Sequence, residues 1–168
     1  MSEEPTAGLP WERAALEWVE SLERGRPTPA GGSLAWITLA GAAGLAAKLE
    51  AIEGRGGEGF RAWARAFVRA AADDAEGFRR ARTPRERTAF LRRSGPLVEE
   101  AMRFLEDLRA ATARCDRAAI RPDWEAALRL AGAAVEVLWE NQEANAKTWG
   151  LDLVGAAPGD RTPRKPGK

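Results

Sequence analysis

A chain of 168 residues, 45% hydrophobic and 30% charged, is long enough for one domain with a buried core and too short for two ordinary ones. Its net charge of +1 argues against a protein built mainly to hold nucleic acid or anionic membrane. With no histidine and one cysteine, Cys115, imidazole catalysis, Cys/His zinc sites and an intrachain disulfide framework are excluded, so acid–base work falls to carboxylates, lysine or water.

Ala, Leu, Arg and Glu dominate, tyrosine is absent, β-branched residues are few, and no segment alternates with period two. The fold class is therefore all-α: a single-domain bundle of about five long helices around a buried Ala/Gly-rich one. Residues 1–8 are acidic and polar, unlike a signal peptide, and are expected to be disordered. The first helix starts near Pro10, places Trp11, Ala15, Trp18 and Leu22 on one face, and stops before Gly25. Pro27 and Pro29 then set an extended entry, Gly31 and Gly32 permit a tight turn, and Ser33 is the expected N-cap.

The second helix, about Leu34 to Glu53, is apolar almost all round through Ala47, a run too short to span a bilayer. Its small residues Ala40 to Gly44 would let a neighbouring backbone come close. After a loop over Gly54 to Gly59, the third helix carries Phe60, Trp63, Phe67, Ala70, Asp74 and Phe78 on one face and ends near Arg82. Thr83-Pro84-Arg85-Glu86 reads as a capping box with proline at the first helical position. It opens a fourth helix through Leu91, Val98, Met102, Leu105 and Leu108, which Gly95-Pro96 should kink or split. The last helix runs from Pro122-Asp123 to Trp149, with Gly150 as its stop. The bundle domain thus spans residues 9–150, and residues 151–168 read as a disordered basic tail. A lone cysteine fits a reducing compartment, so a cytoplasmic location is expected.

Function should be sought where polar residues interrupt apolar seams. Asp74 sits between Ala70 and Phe78, where burial raises a carboxyl pKa; the plain alternative is an Asp paired with one of many arginines. On the last helix the seam Trp124, Leu128, Ala131, Val135, Leu138 passes on through Asn141 and Asn145. Two aligned asparagines either bind a ligand or bond each other and set helix register. Asp123, at the opening of that helix, reads as a capping or first-turn acid. The Gly31-Gly32-Ser33 turn exposes N–H groups at a helix start, without the lysine or spacing of a phosphate-binding P-loop.

Together, the Pro27-Thr28-Pro29-Ala30-Gly31-Gly32-Ser33 segment with its Ala/Gly-rich helix, Asp74-Ala75 with Phe78, Asp123, and Asn141-Gln142-Glu143-Ala144-Asn145 resemble the folate cyclodeaminase/cyclohydrolase family. Order and approximate spacing agree from about Leu16 to Trp149. The departures are Ala30 for a glycine, Trp124-Glu125 after the aspartate, Glu143 for an arginine, and loss of a Lys-rich segment after the second helix. The resemblance implies a cytoplasmic enzyme that cyclises 5-formiminotetrahydrofolate with loss of ammonia, or hydrolyses 5,10-methenyltetrahydrofolate. It implies Asp74 and Asp123 as catalytic residues and Gly31, Gly32, Ser33, Asn141 and Asn145 as substrate-binding ones. The folate substrate would be the one small molecule required, with no metal or further cofactor and no nucleic acid or membrane partner. Family members are usually dimers or higher assemblies, so a homodimer is expected. The alternative is a drifted homologue that binds a ligand or protein without turnover.

Overall fold

The structure, a computed structural model, describes residues 10–23 and 30–151. The expected disordered ends (residues 1–8 and 152–168), the Pro27-Thr28-Pro29 entry and the side chain of Trp11 lie outside what is described. Among the described residues there are five α-helices and no strand: α1 Pro10–Glu23, α2 Gly31–Ile52, α3 Glu58–Arg80, α4 Pro84–Ala113 and α5 Arg121–Trp149. The all-α bundle expected from composition is the fold.

The core forms where the apolar faces of α2, α3, α4 and α5 meet, and α2 packs most extensively, against α3 and α5. Trp36 stacks on Phe67 with ring centroids 5.8 Å apart, and Phe67 meets Phe104 edge-on at 5.0 Å. Phe60 joins Phe104 to the fully buried Trp124, so one aromatic chain runs through all four helices. A smaller cluster of Phe78, Phe90 and Trp149 closes the other end of the bundle, with the Arg87 guanidinium 5.6 Å from the Trp149 ring.

Helix α1 packs extensively on none of the others; Ala15, expected on its inner face, is exposed, while Trp18 and Leu22 are half-buried. Helix α2 is not buried all round either. Leu34, Gly41, Gly44 and Lys48 form an exposed stripe, and an added Cβ at Gly41 or Gly44 would meet nothing within 4 Å. Among the described residues, the glycines therefore bring no neighbouring backbone close. At 22 residues, α2 is long and apolar enough to cross a bilayer by length and composition alone, which the shorter apolar run did not suggest; 56% of its most apolar window is buried inside the bundle.

Local signals explain two of the helix ends. The Thr83 hydroxyl accepts from the Glu86 N–H while the Glu86 carboxylate accepts from the Thr83 N–H, with Pro84 at the first turn, so the capping box starts α4. Gly150, at φ 62°, ends α5 in the left-handed conformation. Pro96 does not split α4, which runs unbroken; Ser94 just before it turns its hydroxyl back onto the Phe90 and Leu91 carbonyls at 3.0 and 3.3 Å.

The turn between α2 and α3 is held by a polar clasp. Arg55 pairs with Glu50 at 2.9 Å and also with Glu53, and both of those carboxylate side chains are nearly dry. Trp124 Nε1 donates to Glu53 at 3.2 Å, tying α5 to the same turn. Gly57 follows at φ 78°, where a Cβ would fall 2.3 Å from the Ala47 carbonyl oxygen. Only glycine fits there, because both the backbone conformation and the space demand it.

Candidate functional site

Helix α2 begins at Gly31, earlier than the sequence suggests, with Ala30 in the extended N-cap position and no side-chain cap. Ser33 is therefore not the cap. It lies inside the first turn, almost fully buried, and its hydroxyl donates across to Asp74 Oδ2 on α3 at 3.1 Å. The contact depends on Gly32: a Cβ there would sit 2.7 Å from Asp74 Oδ2 and 3.1 Å from Oδ1. The missing side chain is what lets the carboxylate lie against the helix start.

Burial pushes the Asp74 carboxyl above the usual carboxylate range, and the Ser33 hydrogen bond opposes the rise. Among the described residues no arginine pairs with Asp74, so the ion-pair alternative for this seam acid does not apply. A carboxyl with a raised pKa and a single hydrogen-bond donor holds its proton more readily than a free one, which suits a group that takes up and returns protons.

Asp74 faces a recess walled by all four packed helices, with a cavity volume of about 20 Å³. Helix α2 supplies Gly32 and Trp36, α3 supplies Asp74, α4 supplies Phe90, Ser94 and Val98, and α5 supplies Leu138, Asn141, Gln142 and Asn145. The recess occupies the seam between the two aromatic clusters, since Trp36, Val98 and Leu138 belong to the main core and Phe90 to the smaller one. Apolar walls with a few polar groups are the usual make-up of a small-molecule site, but this one, as it stands, has room for about one water and would have to widen to take a larger ligand.

Of the seven residues singled out in the sequence, Asp74, Gly32, Asn141 and Asn145 line this one recess. Ser33 touches it through its bond to Asp74, and Gly31 abuts it: a Cβ on Gly31 would fall 3.3 Å from Asn141 Nδ2. The two asparagines are half-buried, and neither amide bonds the other or a facing backbone among the described residues, so a register role has no contact behind it here.

Asp123 is the exception. It is exposed in the first turn of α5, and the 18 residues separating it from Asn141 place it about 27 Å along the helix from the recess. Within one chain it is a first-turn acid favoured by the helix dipole, not a partner for Asp74. Asp74 is then the only titratable side chain among the lining residues.

One lining residue escapes the sequence reading. Gln142 is 5% exposed, and both its Nε2 and Oε1 are buried without a hydrogen-bond partner. The seam of α5 passes from Leu138 to Gln142 and Ala146, all buried, while Asn141 and Asn145 flank it. The step from Leu138 by four residues, rather than by three, was the available signal.

Comparison with known proteins returned no match: no family model, no curated protein and no solved structure is similar to this chain at a significant level.

Proposed function

We propose that the chain is an enzyme of folate one-carbon metabolism, a formimidoyltetrahydrofolate cyclodeaminase or a methenyltetrahydrofolate cyclohydrolase, acting in the cytoplasm as a homodimer. The observation that supports it is the gathering of Asp74, Asn141 and Asn145 beside the Gly32 turn, in a recess walled by Trp36 and Phe90. A pterin ring needs uncharged donors and acceptors along its edge, which the two asparagine amides offer, and its entry would require the recess to widen. Its reacting carbon needs a group that moves protons and tolerates a developing cation.

In the cyclodeaminase reaction, the folate N10 amine attacks the formimino carbon held on N5. Asp74 takes the N10 proton and passes one to the departing nitrogen, which leaves as ammonia, and the methenyl bridge remains. In the cyclohydrolase reaction a water attacks that bridge carbon, Asp74 takes the water's proton, and the carbon–nitrogen bond breaks to leave a formyl group. One carboxyl poised to hold and release a proton serves both steps, and its charge when ionised complements the methenyl cation. Ser33 keeps the carboxylate aimed at the recess. A general acid–base of this kind is worth about 10²- to 10⁴-fold in rate.

The deciding experiment mixes purified protein with methenyltetrahydrofolate and follows loss of its chromophore. A rate equal to buffer at high protein concentration removes the cyclohydrolase form, and no ammonia release from formiminotetrahydrofolate removes the other. A second reading, a relative that binds folate without turnover, is favoured by the position of Asp123, which leaves the recess with a single titratable group. A thermal shift with tetrahydrofolate and no turnover marks that case.

A further inference from the structure

Helix α2 packs more extensively than any other, yet its outer side is bare and apolar. Leu34 and Ile52 are exposed there, Ile37 and Leu45 are half-buried, and Gly41 and Gly44 sit at the middle. Lys48 is the one exposed charge of α2. On α5, Leu130 and Val137 are also exposed, beside Ala133. The two stripes adjoin. Leu130 and Val137 share a helical track with Asn141, Leu34 and Gly41 share one with Gly31, and Gly31 abuts Asn141. Glu53, just past the other end of α2, accepts from Trp124, so the helices lie side by side and antiparallel, with the middle of α2 level with about Gly132. No described helix covers this face, since α1 packs extensively on none of the others.

We infer that the α2–α5 face is the seam of a two-fold dimer, in which a second copy of this chain lies antiparallel on the first. In such an interface every contact occurs twice, related by the axis, so the face must complement itself end for end. It does so on both helices. On α2, an axis between Gly41 and Gly44 sets small residues at the helix crossing, where a second helix can come close, and carries Leu34 onto Ala51 and Ile52. On α5, the exposed Arg129 and Glu136 stand at equal distances on either side of that same level. The axis therefore brings Arg129 of each copy to Glu136 of the other. Neither has an ion-pair partner among the described residues of its own chain. A foreign partner would not need these charges to be symmetric about the helix centre. The 22 residues of α2 beside α5 give a footprint about 33 Å by 20 Å, which with its surface relief approaches the roughly 800 Å² per copy that a stable dimer buries. The inference deepens the homodimer reading above by naming its surface, and rests on that reading but not on folate turnover.

Sedimentation velocity of the full chain across micromolar concentrations reads the assembly, with thermal melting as the check on folding. The unmodified protein should sediment as a dimer. Leu34→Glu and Leu130→Glu each place a carboxylate on the bare face and should raise the dissociation constant by about 100-fold or more; should one misfold, the other reads the surface. Arg129→Glu sets like charges together across the seam and should raise the constant by about tenfold, less in high salt. Arg129→Glu/Glu136→Arg should restore it, whereas Arg129→Glu/Glu143→Arg, with the same net charge, should not. The exchanged positions lie two turns apart on one helix, so recovery marks a pair between copies. A monomer at every concentration overturns the inference and the homodimer with it, leaving folate turnover to its own assay. A dimer that both leucine variants leave intact overturns the surface alone. Failure of the charge exchange to restore the dimer overturns the antiparallel arrangement.

Discussion

Gly32→Ala isolates the role of one close approach. In the present geometry the new Cβ lies 2.7 Å from Asp74 Oδ2, and ordinary contact begins near 3.4 Å, so the carboxylate must retreat by about 0.7 Å. Asp is too short to absorb that by bending at its far end. The retreat stretches or breaks the 3.1 Å bond from Ser33 and turns the carboxylate away from the recess. Overpacking of this kind costs about 1–3 kcal/mol, and replacing a helical glycine by alanine returns about 1 kcal/mol at most, so net stability should fall by roughly 0–2 kcal/mol. Function should suffer far more, because a displacement near 1 Å at a reacting group costs about 10²-fold in rate. Gly41→Ala, in the same helix with nothing within 4 Å, is the control: it should stabilise by about 0.5–1 kcal/mol and leave turnover unchanged. Urea unfolding and initial rates of methenyltetrahydrofolate hydrolysis, measured on both variants, decide the matter. If Gly32→Ala keeps its full rate, Asp74 is not held where the proposed chemistry needs it, and the reasoning fails.

Asp74→Asn should behave oppositely in its two readouts. Because burial raises the Asp74 pKa in the folded state, the proton-linked stability it contributes is complete below the ordinary carboxylate pKa and is lost as pH rises through the raised value. The asparagine variant should therefore lack that decline and be the more stable protein at neutral pH, while turnover falls by about 10²- to 10⁴-fold; identical pH–stability profiles would contradict this. Arg55→Met leaves Glu53 with the Trp124 donor alone and Glu50 with the longer Arg114 contact, and should cost about 1–3 kcal/mol in urea unfolding, whereas a loss under about 0.5 kcal/mol, what a surface pair gives, would reduce the clasp to an ordinary surface pair.

Much of this architecture was readable before any coordinates. The capping box at Thr83, the stop at Gly150 and the aromatic face of α3 rest on local chemistry, so they appear in the sequence as they do in space. Asp74 was visible for a similar reason, as an acid in an apolar track. Its partner was not, because the Ser33 bond spans 41 residues and requires α2 to begin before the serine. Gln142 was hidden by the choice between steps of three and four along α5, which share a residue at Leu138 and diverge after it. The distance of Asp123 from the recess was hidden for a different reason: an acid in a helix's first turn looks the same whether it stabilises the helix or serves a site, and helix length sets how far it lies from Asn141. The exposed stripe of α2 was equally silent, since Ala and Gly carry no sign of which side faces water.

The recess draws its walls from Gly32 near the start of α2 to Asn145 near the end of α5. No hairpin or fragment contains it, so the cavity exists only while all four helices stay docked together. Whatever fills it is therefore clamped to the cooperative unfolding of the whole bundle, and each tenfold excess of ligand over its dissociation constant should add about 1.4 kcal/mol to global stability. Hydrogen exchange would see that gain spread over α2 through α5 at once rather than confined to the residues the ligand touches.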